Sequence, residues 1–416
     1  MVSEDARIQS EMSLWWLGHG AGKPGHEPRL IGRLFLTQGN EKVGLEYADD
    51  WSAAGFALSD DLPLGKGVYL PVERDMAPGA VNDARPDQWG ERVIRAIDRP
   101  ARQSVLDYLY FAGEDRCGGL GVSKELHRYV PNESMSLPGL ESLADMDRAV
   151  ASVRAGEPLD AGMVRLVRAG SLFGGARPKS LVEMSGSQWL LKFSAGEDFD
   201  MELVEHATMR LACHCGIQVA STQALPLRSG HAVAVKRFDR NEGSRSHVIS
   251  AKTVLHAAGL TMGYPELAQC LHRIARPATV KAHQEELFRR MVFNILMDNT
   301  DDHEKNHALL RAADGYYDLS PAYDVVPAVQ GLGEQQLRIG AQGTDSTIEN
   351  ALSEAEAFGL TKKAAVGVAK QVAAGVSNWK AFFQSHGVAQ KDLAIIAQYI
   401  DGRHLEAQRA ALVPRT

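Results

Sequence analysis

The spacing of apolar residues changes along the chain, and this change constrains the fold more than any other feature. Between residues 28 and 75, and again between residues 161 and 240, short apolar runs alternate with turn residues, as is typical of β-strands. After about residue 250 the apolar residues recur at helical spacing; one such face comprises Leu287, Phe288, Met291, Val292, Ile295 and Leu296. The order predicts a small β-rich lobe followed by a larger helical lobe.

Composition places the chain among soluble globular proteins of two or three domains. It has 416 residues, of which 44% are apolar and 23% charged. The net charge of −7 argues against autonomous, non-specific nucleic-acid binding, which relies on many cations. Apolar runs fall short of the ~18–20 residues of a membrane span, and cysteines are few, so we expect a cytoplasmic protein without membrane partners.

Local patterns predict individual elements. We expect one hairpin to join residues 33–37 and 43–47, and a second to join residues 180–184 and 188–193. Residues 86–112 have a helical period. A further helix over 202–215 would be ended by Gly216, so Cys213-His214-Cys215 is better explained as a helix end than as a metal site.

A first set of polar motifs lies around the second hairpin. Gly174 and Gly175 precede it, and adjacent glycines allow backbone N–H groups to approach a phosphate. Lys192 lies within the apolar run Trp189–Phe193, where a lysine that points inward needs an anionic partner. Glu205, thirteen residues later, could supply that partner from a helix.

A second set of polar motifs follows the helical face at residues 287–296. Asp301 and Asn306 are five residues apart in the dense polar segment 297–307, the spacing of a catalytic Asp and a metal-binding Asn in kinases. Residues 308–310 and 316–319 read as a hairpin that would bring Asp324 beside this segment. The order of glycines, Lys, Glu, Asp, Asn and Asp indicates a kinase-like phosphotransferase, although His-Arg-Asp and Asp-Phe-Gly motifs are absent.

With these motifs the sequence resembles the HipA family of bacterial serine/threonine kinase toxins. The resemblance is carried by segments 174–179, 191–193, 236–240, 299–306 and 320–324. It implies a role for each matched residue: Asp301 as catalytic base, His303 and Lys305 as phosphoryl-steadying residues, Asn306 and Asp324 as Mg²⁺ ligands that also contact the nucleotide, Gly174, Gly175, Lys179 and Lys192 as phosphate-binding residues, and Lys236 and Phe238 as adenine-facing residues.

The resemblance also implies the fold class and the domains. We expect an α+β, two-lobed protein-kinase-like fold, with a β-rich N-lobe, an added N-terminal subdomain and an all-helical C-lobe. The expected divisions are a flexible lead-in at 1–27, the N-terminal subdomain at 28–150, the N-lobe core at 160–255, and the C-lobe with the catalytic loop at 256–416.

The activity implied is ATP- and Mg²⁺-dependent phosphorylation of a protein serine or threonine by the toxin of a type II toxin–antitoxin pair. The expected substrate is a translation factor or an aminoacyl-tRNA synthetase, such as glutamyl-tRNA synthetase. The expected partner is a HipB-like helix-turn-helix antitoxin, through which alone the chain would meet DNA. Leu172 stands where the family has a phosphorylatable serine, so any self-phosphorylation is predicted at Ser171.

Three other hypotheses remain open from the sequence. A small-molecule kinase would use the same motifs. A DNA corepressor bound to an antitoxin would use a cationic helix face formed by Arg92, Arg95, Arg99 and Arg102, although Glu91 and Asp98 favour an ordinary solvated face. A metal-dependent nuclease could be built from Asp298, Asp301, Asp302, His303 and His307, but it leaves Lys192 and the glycines unexplained.

Overall fold

The computed structural model describes residues 10–18, 27–37, 39, 41–132, 137–168, 177–241 and 244–413. The chain divides into two compact units. Unit 1 runs to Phe193 and includes Asp239–Ile249, and unit 2 comprises Ser194–Phe238 and the chain from Ser250 onward. Within the described ranges, we find no helix with the length and apolar character needed to span a membrane.

Unit 1 begins with a five-stranded antiparallel sheet. Its strands are β1 (Glu11–Trp16), β2 (Arg29–Leu36), β3 (Val43–Tyr47), β4 (Val68–Tyr69) and β5 (Leu120–Ser123), in the order β4-β3-β2-β1-β5. Leu34 of β2 pairs with Leu45 of β3, which confirms the first predicted hairpin. The two-residue strand β4 forms one edge of the sheet.

The predicted flexible lead-in over residues 1–27 is wrong for Glu11–Trp16. This segment is β1, which pairs with β2 on one side and with β5 on the other. Met12, Leu14 and Trp16 are buried, and the pairing on both sides satisfies the backbone of the segment. The prediction of a flexible segment rested on the glycines after residue 17, but the apolar run before them is long enough for a strand.

Helices and a hairpin complete the first part of unit 1. The helices are α1 (Asp49–Ala54), α2 (Gly79–Asp83), α3 (Gln88–Ile97), α4 (Val105–Phe111), α5 (Leu143–Ala155) and α6 (Ala161–Arg168), with a 3₁₀ turn at Leu140–Ser142. β6 (Lys179–Met184) and β7 (Ser187–Lys192) pair antiparallel and confirm the second predicted hairpin. Ser185 and Gly186 form its turn with φ of 51° and 69°, a conformation that glycine adopts without strain.

The cationic helix face predicted from four arginines does not form. Helix α3 ends at Ile97, and Arg99 lies beyond it with a φ of 48°. Arg92 donates to the carbonyl oxygen of Arg154, and Arg95 pairs with Glu91. The prediction of one continuous helical period was wrong because Ser104 caps a separate helix, α4, through a capping box with Asp107.

Unit 2 opens with α7 (Met201–His214), β8 (Thr222–Pro226) and β9 (His231–Lys236), and β8 pairs antiparallel with β9. Helix α7 ends before Gly216, whose φ is 83°, as the sequence predicts. The chain then returns to unit 1 for β10 (Arg240–Asn241) and β11 (Ser244–Arg245), and β12 (His247–Ser250) ends at the first residue of the second segment of unit 2.

The remainder of unit 2 is helical except for one hairpin. Its elements are α8 (Ala251–Ala257), α9 (Tyr264–Ile274), α10 (Val280–Leu296), β13 (Ala308–Arg311), β14 (Tyr317–Leu319), α11 (Ile348–Ser353), a 3₁₀ turn (Ala355–Phe358), α12 (Lys362–Val376), α13 (Trp379–Ser385), α14 (Gln390–Ile400) and α15 (Arg403–Leu412). The β13–β14 hairpin turns at Gly315, as predicted, so the C-lobe is not entirely helical.

The α+β class is confirmed, but the two units do not follow the predicted divisions. The segment predicted as the N-lobe core, 160–255, contributes its first hairpin to unit 1 and α7, β8 and β9 to unit 2. The division into subdomain, N-lobe and C-lobe stays a prediction.

Candidate active site

The polar segment after α10 contains one accessible carboxylate among buried neighbours. Asn299, Thr300 and Asp302 are each no more than 2% exposed, whereas Asp301 is exposed. The helix ends as Asp298 adopts a φ of 55°, which turns the chain out of the helical path. Asp301 is therefore placed to meet an incoming hydroxyl, as a general base must.

Asp302 belongs to a buried hydrogen-bond network that holds this segment against two helices. It accepts hydrogen bonds from the Tyr264 hydroxyl of α9 and from His307, whose Nε2 lies 2.8 Å from Oδ2 of Asp302. Asn294 of α10 donates to the Tyr264 oxygen at 3.0 Å and accepts from Asn299 at 3.1 Å. The loop is thus tied to the helical core at two of its residues, Asn299 and Asp302, and His307 is bonded to the second.

The charge state of Asp302 follows from this network. Burial by itself raises the pKa of Asp302, but the charge and hydrogen bond of His307 and the hydrogen bond of Tyr264 outweigh it and hold the pKa below its ordinary value. Burial and the neighbouring carboxylate raise the pKa of Tyr264 well above its usual range. Asp302 is therefore an ionised acceptor that orients the loop, and it is less suited to act as a base than the exposed Asp301.

His303 and Asn306 are positioned by a tight turn within the same segment. The backbone N–H of Asn306 donates to the carbonyl oxygen of His303 at 2.9 Å, and the Lys305 N–H donates to Nδ1 of His303 at 3.2 Å. A ring nitrogen that accepts a hydrogen bond carries no proton, so Nε2 of His303 is the donor atom of that ring. His303 can therefore offer one N–H to an oxygen anion.

Tyr323 connects three of the predicted site elements. Its hydroxyl donates to the carbonyl oxygen of Lys305 at 2.6 Å, and its ring packs on Phe238 with centroids 5.4 Å apart. Since Tyr323 precedes Asp324 and Lys305 precedes Asn306, this contact brings the segments of the two predicted Mg²⁺ ligands together. The same contacts place Phe238, two residues after β9, beside them.

Arg290 fixes the other side of the Asp324 segment. This buried residue of α10 pairs with Glu286 at 2.9 Å and donates to the carbonyl oxygen of Ser320 at 2.7 Å. Ala322 also joins the segment to the core, through a parallel bridge to Val219. A small cavity lies between these groups, lined by residues that include Arg290, Asn306 and Tyr323.

The oxygen donors of this site suit Mg²⁺. Asn306 offers an amide oxygen and Asp324 a carboxylate, and Mg²⁺ in nucleotide sites is held by one or two such groups together with substrate phosphates. Asp324 has a φ of 59°, a conformation that Asp tolerates better than most residues. Phosphate oxygens would complete the coordination, so a pair of side-chain donors is sufficient.

Two lysines face each other across the β6–β7 hairpin of unit 1. Lys179 and Lys192 are directly paired in the antiparallel register, and both are buried, with exposures of 3% and 6%. Directly paired side chains lie on the same face of a sheet, so two cationic groups share one region. A polyphosphate is an anion of matching charge, which supports the sequence assignment of both lysines.

The remaining predicted residues have different outcomes. Gly174, Gly175 and Ser171 lie outside the described residues, as does Leu172. Glu205 is buried on α7 of unit 2, whereas Lys192 belongs to unit 1, and their pairing stays a prediction. The N–H of Lys236 donates to the Ser221 carbonyl oxygen at 2.8 Å, so any adenine contact of Lys236 must use its own carbonyl oxygen.

Two family models match the chain. A family model described as the HipA-like C-terminal domain matches residues 171–379, and one described as the HipA N-terminal domain matches residues 26–123. The chain belongs to the HipA family. The first match contains Asp301, Asn306 and Asp324, and the second contains the sheet from β2 to β5.

Solved and curated relatives extend the HipA comparison. HipA in the Shewanella oneidensis toxin–antitoxin complex of HipA, HipB and operator DNA has the same fold, with a TM-score of 0.67 and 16% identity over 96% of this chain and 97% of that one. A Sinorhizobium fredii protein named "Putative kinase Y4dM" is 27% identical over 195 residues. This alignment covers 44% of the present chain and 47% of the relative, so the chain spans about half the length of that curated protein.

Sequence reasoning missed Tyr264, Arg290 and Asn294, which support the HipA site without lying in its motifs. Arg290 and Asn294 are four residues apart on the most apolar helix of the C-lobe, and both are 3% exposed. Two buried polar residues one turn apart on such a helix must have polar partners. That spacing was the available signal.

Proposed function

We propose that this HipA-family chain is an ATP- and Mg²⁺-dependent protein serine/threonine kinase and the toxin of a toxin–antitoxin pair. The observation that carries the proposal is the contact of Tyr323 with both Lys305 and Phe238. It assembles the base-bearing loop, the Asp324 segment and the end of β9, which are the elements that a phosphotransferase needs around one nucleotide.

Each side chain then has a part in the transfer. Asp301 accepts the proton of the serine or threonine hydroxyl as that oxygen attacks the γ-phosphorus of ATP, the bond from this phosphorus to the β,γ-bridging oxygen breaks, and ADP leaves. His303, through its Nε2–H, and the Lys305 ammonium stabilise the negative charge of the transferring phosphoryl group. Asn306 and Asp324 would hold Mg²⁺, which neutralises phosphate charge when it is bound. Lys179 and Lys192 bind the phosphates, together with the backbone at Gly174 and Gly175.

The proposed partner and substrate are those that the resemblance to the family suggests. The solved HipA relative forms a complex with HipB and DNA, and this supports a HipB-like antitoxin as the partner of the present chain. We propose a translation component, either a translation factor or an aminoacyl-tRNA synthetase, as the protein substrate. DNA would be reached only through the antitoxin, since the arginines suggested for a cationic face lie on no common helix.

A labelling experiment tests the function. The full chain is incubated with γ-labelled ATP, Mg²⁺ and bacterial lysate, and labelled proteins are identified with their modified residues. We expect label on serine or threonine of a translation protein, dependent on Mg²⁺ and absent with Asp301→Asn. That variant should lose ~10²–10⁴-fold in rate. An Asp60→Asn variant, which changes an exposed Asp of unit 1, is the matched control and should label normally.

Three results would overturn the proposal in different ways. Label confined to small metabolites would identify the small-molecule kinase. Absence of any transfer, with intact binding of an antitoxin on DNA, would favour the corepressor. Normal transfer by purified Asp301→Asn would refute the assignment of the base.

A further inference from the structure

The edge strand β4 leaves one side of the unit 1 sheet open. Val68 and Tyr69 pair with Glu46 and Leu45 of β3, and β4 is the last strand in the order of the described sheet. An open edge presents backbone N–H and C=O groups that can pair with another chain. Proteins usually protect such edges with charged side chains.

This edge is apolar instead. The exposed fractions are 38% for Leu64, 53% for Val68, 50% for Leu70 and 80% for Val72. These four make up half of the large hydrophobic residues that are exposed among the described residues, and they fall within nine positions. Val68 lies in β4, and Leu70 and Val72 follow the strand directly in the chain. Tyr69 packs against Tyr47 with ring centroids 5.6 Å apart.

The chain around this apolar edge is strongly acidic. Residues 41–75 contain eight Asp or Glu and three Lys or Arg, a net charge of −5 where the whole chain carries −7. The three cations are engaged locally: Lys66 lies 3.4 Å from Asp49, Arg74 lies 3.4 Å from Glu41, and Lys42 donates to backbone carbonyl oxygens of residues 71 and 72. Arg33, just outside this stretch, also pairs with Glu46, and the acidic residues still outnumber the cations, so this stretch carries excess negative charge.

We propose that the apolar edge, defined as Leu64, Val68, Leu70 and Val72, is a docking surface for an extended cationic segment of a partner protein. The segment adds to β4 as a strand, with alternate apolar residues on the apolar edge and Lys or Arg between them toward the acidic residues. Because β4 is only two residues long and Pro71 follows it, side-chain contacts supply most of the affinity. The proposal does not depend on phosphoryl transfer.

Dye-labelled nine-residue peptides test the surface by fluorescence anisotropy with the full chain. One peptide alternates lysine with valine, a second alternates lysine with serine, and a third alternates glutamate with valine. We expect binding of the lysine–valine peptide alone, because the surface requires both charge and apolar contact. The double variant Leu70→Lys with Val72→Lys should weaken that binding by about tenfold or more, which corresponds to roughly 1.4 kcal/mol.

Two further variants keep the result interpretable. Leu126→Lys changes another exposed leucine of unit 1, 40% exposed and outside the apolar edge, and should bind as the unmodified chain does. Glu73→Gln with Asp75→Asn removes the charges of two exposed acidic residues, and Asn tolerates the φ of 54° at position 75. This variant should weaken binding without loss of folding, which circular dichroism verifies.

Each alternative outcome contradicts the proposal. Equal binding of the lysine–serine peptide would show a purely electrostatic surface. Unchanged affinity in the Leu70/Val72 variant would place the peptide elsewhere. Concentration-dependent dimers that this variant abolishes would identify a second copy of the chain as the occupant.

Discussion

The hydroxyl of Tyr323 lies 2.6 Å from the carbonyl oxygen of Lys305 and donates a hydrogen bond to it. This bond joins the residue before Asp324 to the residue before Asn306. Its geometry therefore sets the relative position of the two oxygen donors proposed for Mg²⁺, although neither donor takes part in it. The ring of Tyr323 also packs on Phe238, so the position of Phe238 depends on the same residue.

Tyr323→Phe removes this hydrogen bond and keeps the ring contact with Phe238. The hydrogen bond is partly buried, and a typical intramolecular hydrogen bond contributes about 0.5–1.5 kcal/mol. We expect kcat for phosphoryl transfer to fall about tenfold, equivalent to ~1.4 kcal/mol of barrier, with a smaller change in KM for ATP. Steady-state kinetics of the full chain measure both. Tyr316→Phe, at an exposed tyrosine of the β13–β14 turn, is the control, and an equal loss there would contradict the interpretation.

The sequence predicted the motif residues of this site but not the buried residues that hold the motifs in place. Asp301, Asn306 and Asp324 were found because kinase chemistry prescribes residue types at short spacing. Tyr264 contacts Asp302 across 38 residues, and Arg290 contacts Ser320 across 30. Such contacts arise from helix packing, and no local period encodes them.

The fold shows the same limit. The hairpins β2–β3, β6–β7 and β13–β14 were predicted, since each depends on a local turn between apolar runs. The central position of β1 was not, because it depends on pairing with β5, more than a hundred residues away. The four arginines of residues 92–102 do not share one helix face, because α3 ends at Ile97 and Ser104 caps a new helix.

Asp302→Asn should destabilise the fold as well as reduce activity. The substitution removes the charge that faces His307 within a buried network, and breaking a buried pair typically costs 3–5 kcal/mol. The depressed pKa of Asp302 makes its contribution complete above the ordinary value of 3.8 and lost as pH falls through the lower folded-state pKa. Urea denaturation at pH 7 measures the loss, and an unchanged free energy of unfolding would refute the network.

Asp298→Asn should have the opposite effect on stability. Burial raises the pKa of Asp298 from 3.8 to about 6, against the opposing hydrogen bond from Gly331. Oδ2 of Asp298 has no hydrogen-bond partner within the described part of the chain. A raised carboxyl pKa lowers stability as pH rises above 3.8, and the effect is complete above about 6. Asn keeps the acceptor for Gly331, carries no charge and tolerates the positive φ.

The expected gain from Asp298→Asn is therefore small at pH 4 and about 3 kcal/mol at pH 8, from a pKa shift of roughly two units. Urea denaturation of the variant and the unmodified chain at both pH values gives the comparison. An equal gain at both pH values would mean that ionisation of Asp298 is not the cause. A loss at pH 8 would mean that the carboxylate has a stabilising partner.

Lys192→Met should weaken ATP binding much more than Lys236→Met. Lys192 is buried and directly paired with Lys179 on one face of the β6–β7 hairpin, so its loss removes one of two cations from the proposed phosphate site. Hydrogen bonds to charged groups contribute about 1.5–3 kcal/mol, which corresponds to a ~10- to 200-fold rise in Kd for ATP. Lys236 is exposed, and only its backbone is proposed to contact adenine, so Lys236→Met should change Kd less than twofold. Titration calorimetry with ATP and Mg²⁺ measures both variants.

Equal losses of ATP affinity in the two variants would show that the effect of Lys192 is one of overall charge, because the two substitutions change the net charge identically. An unchanged Kd for Lys192→Met alone would leave Lys179 as the sole phosphate-binding lysine of the hairpin, and Lys179→Met would then have to abolish binding for the hairpin to keep its role.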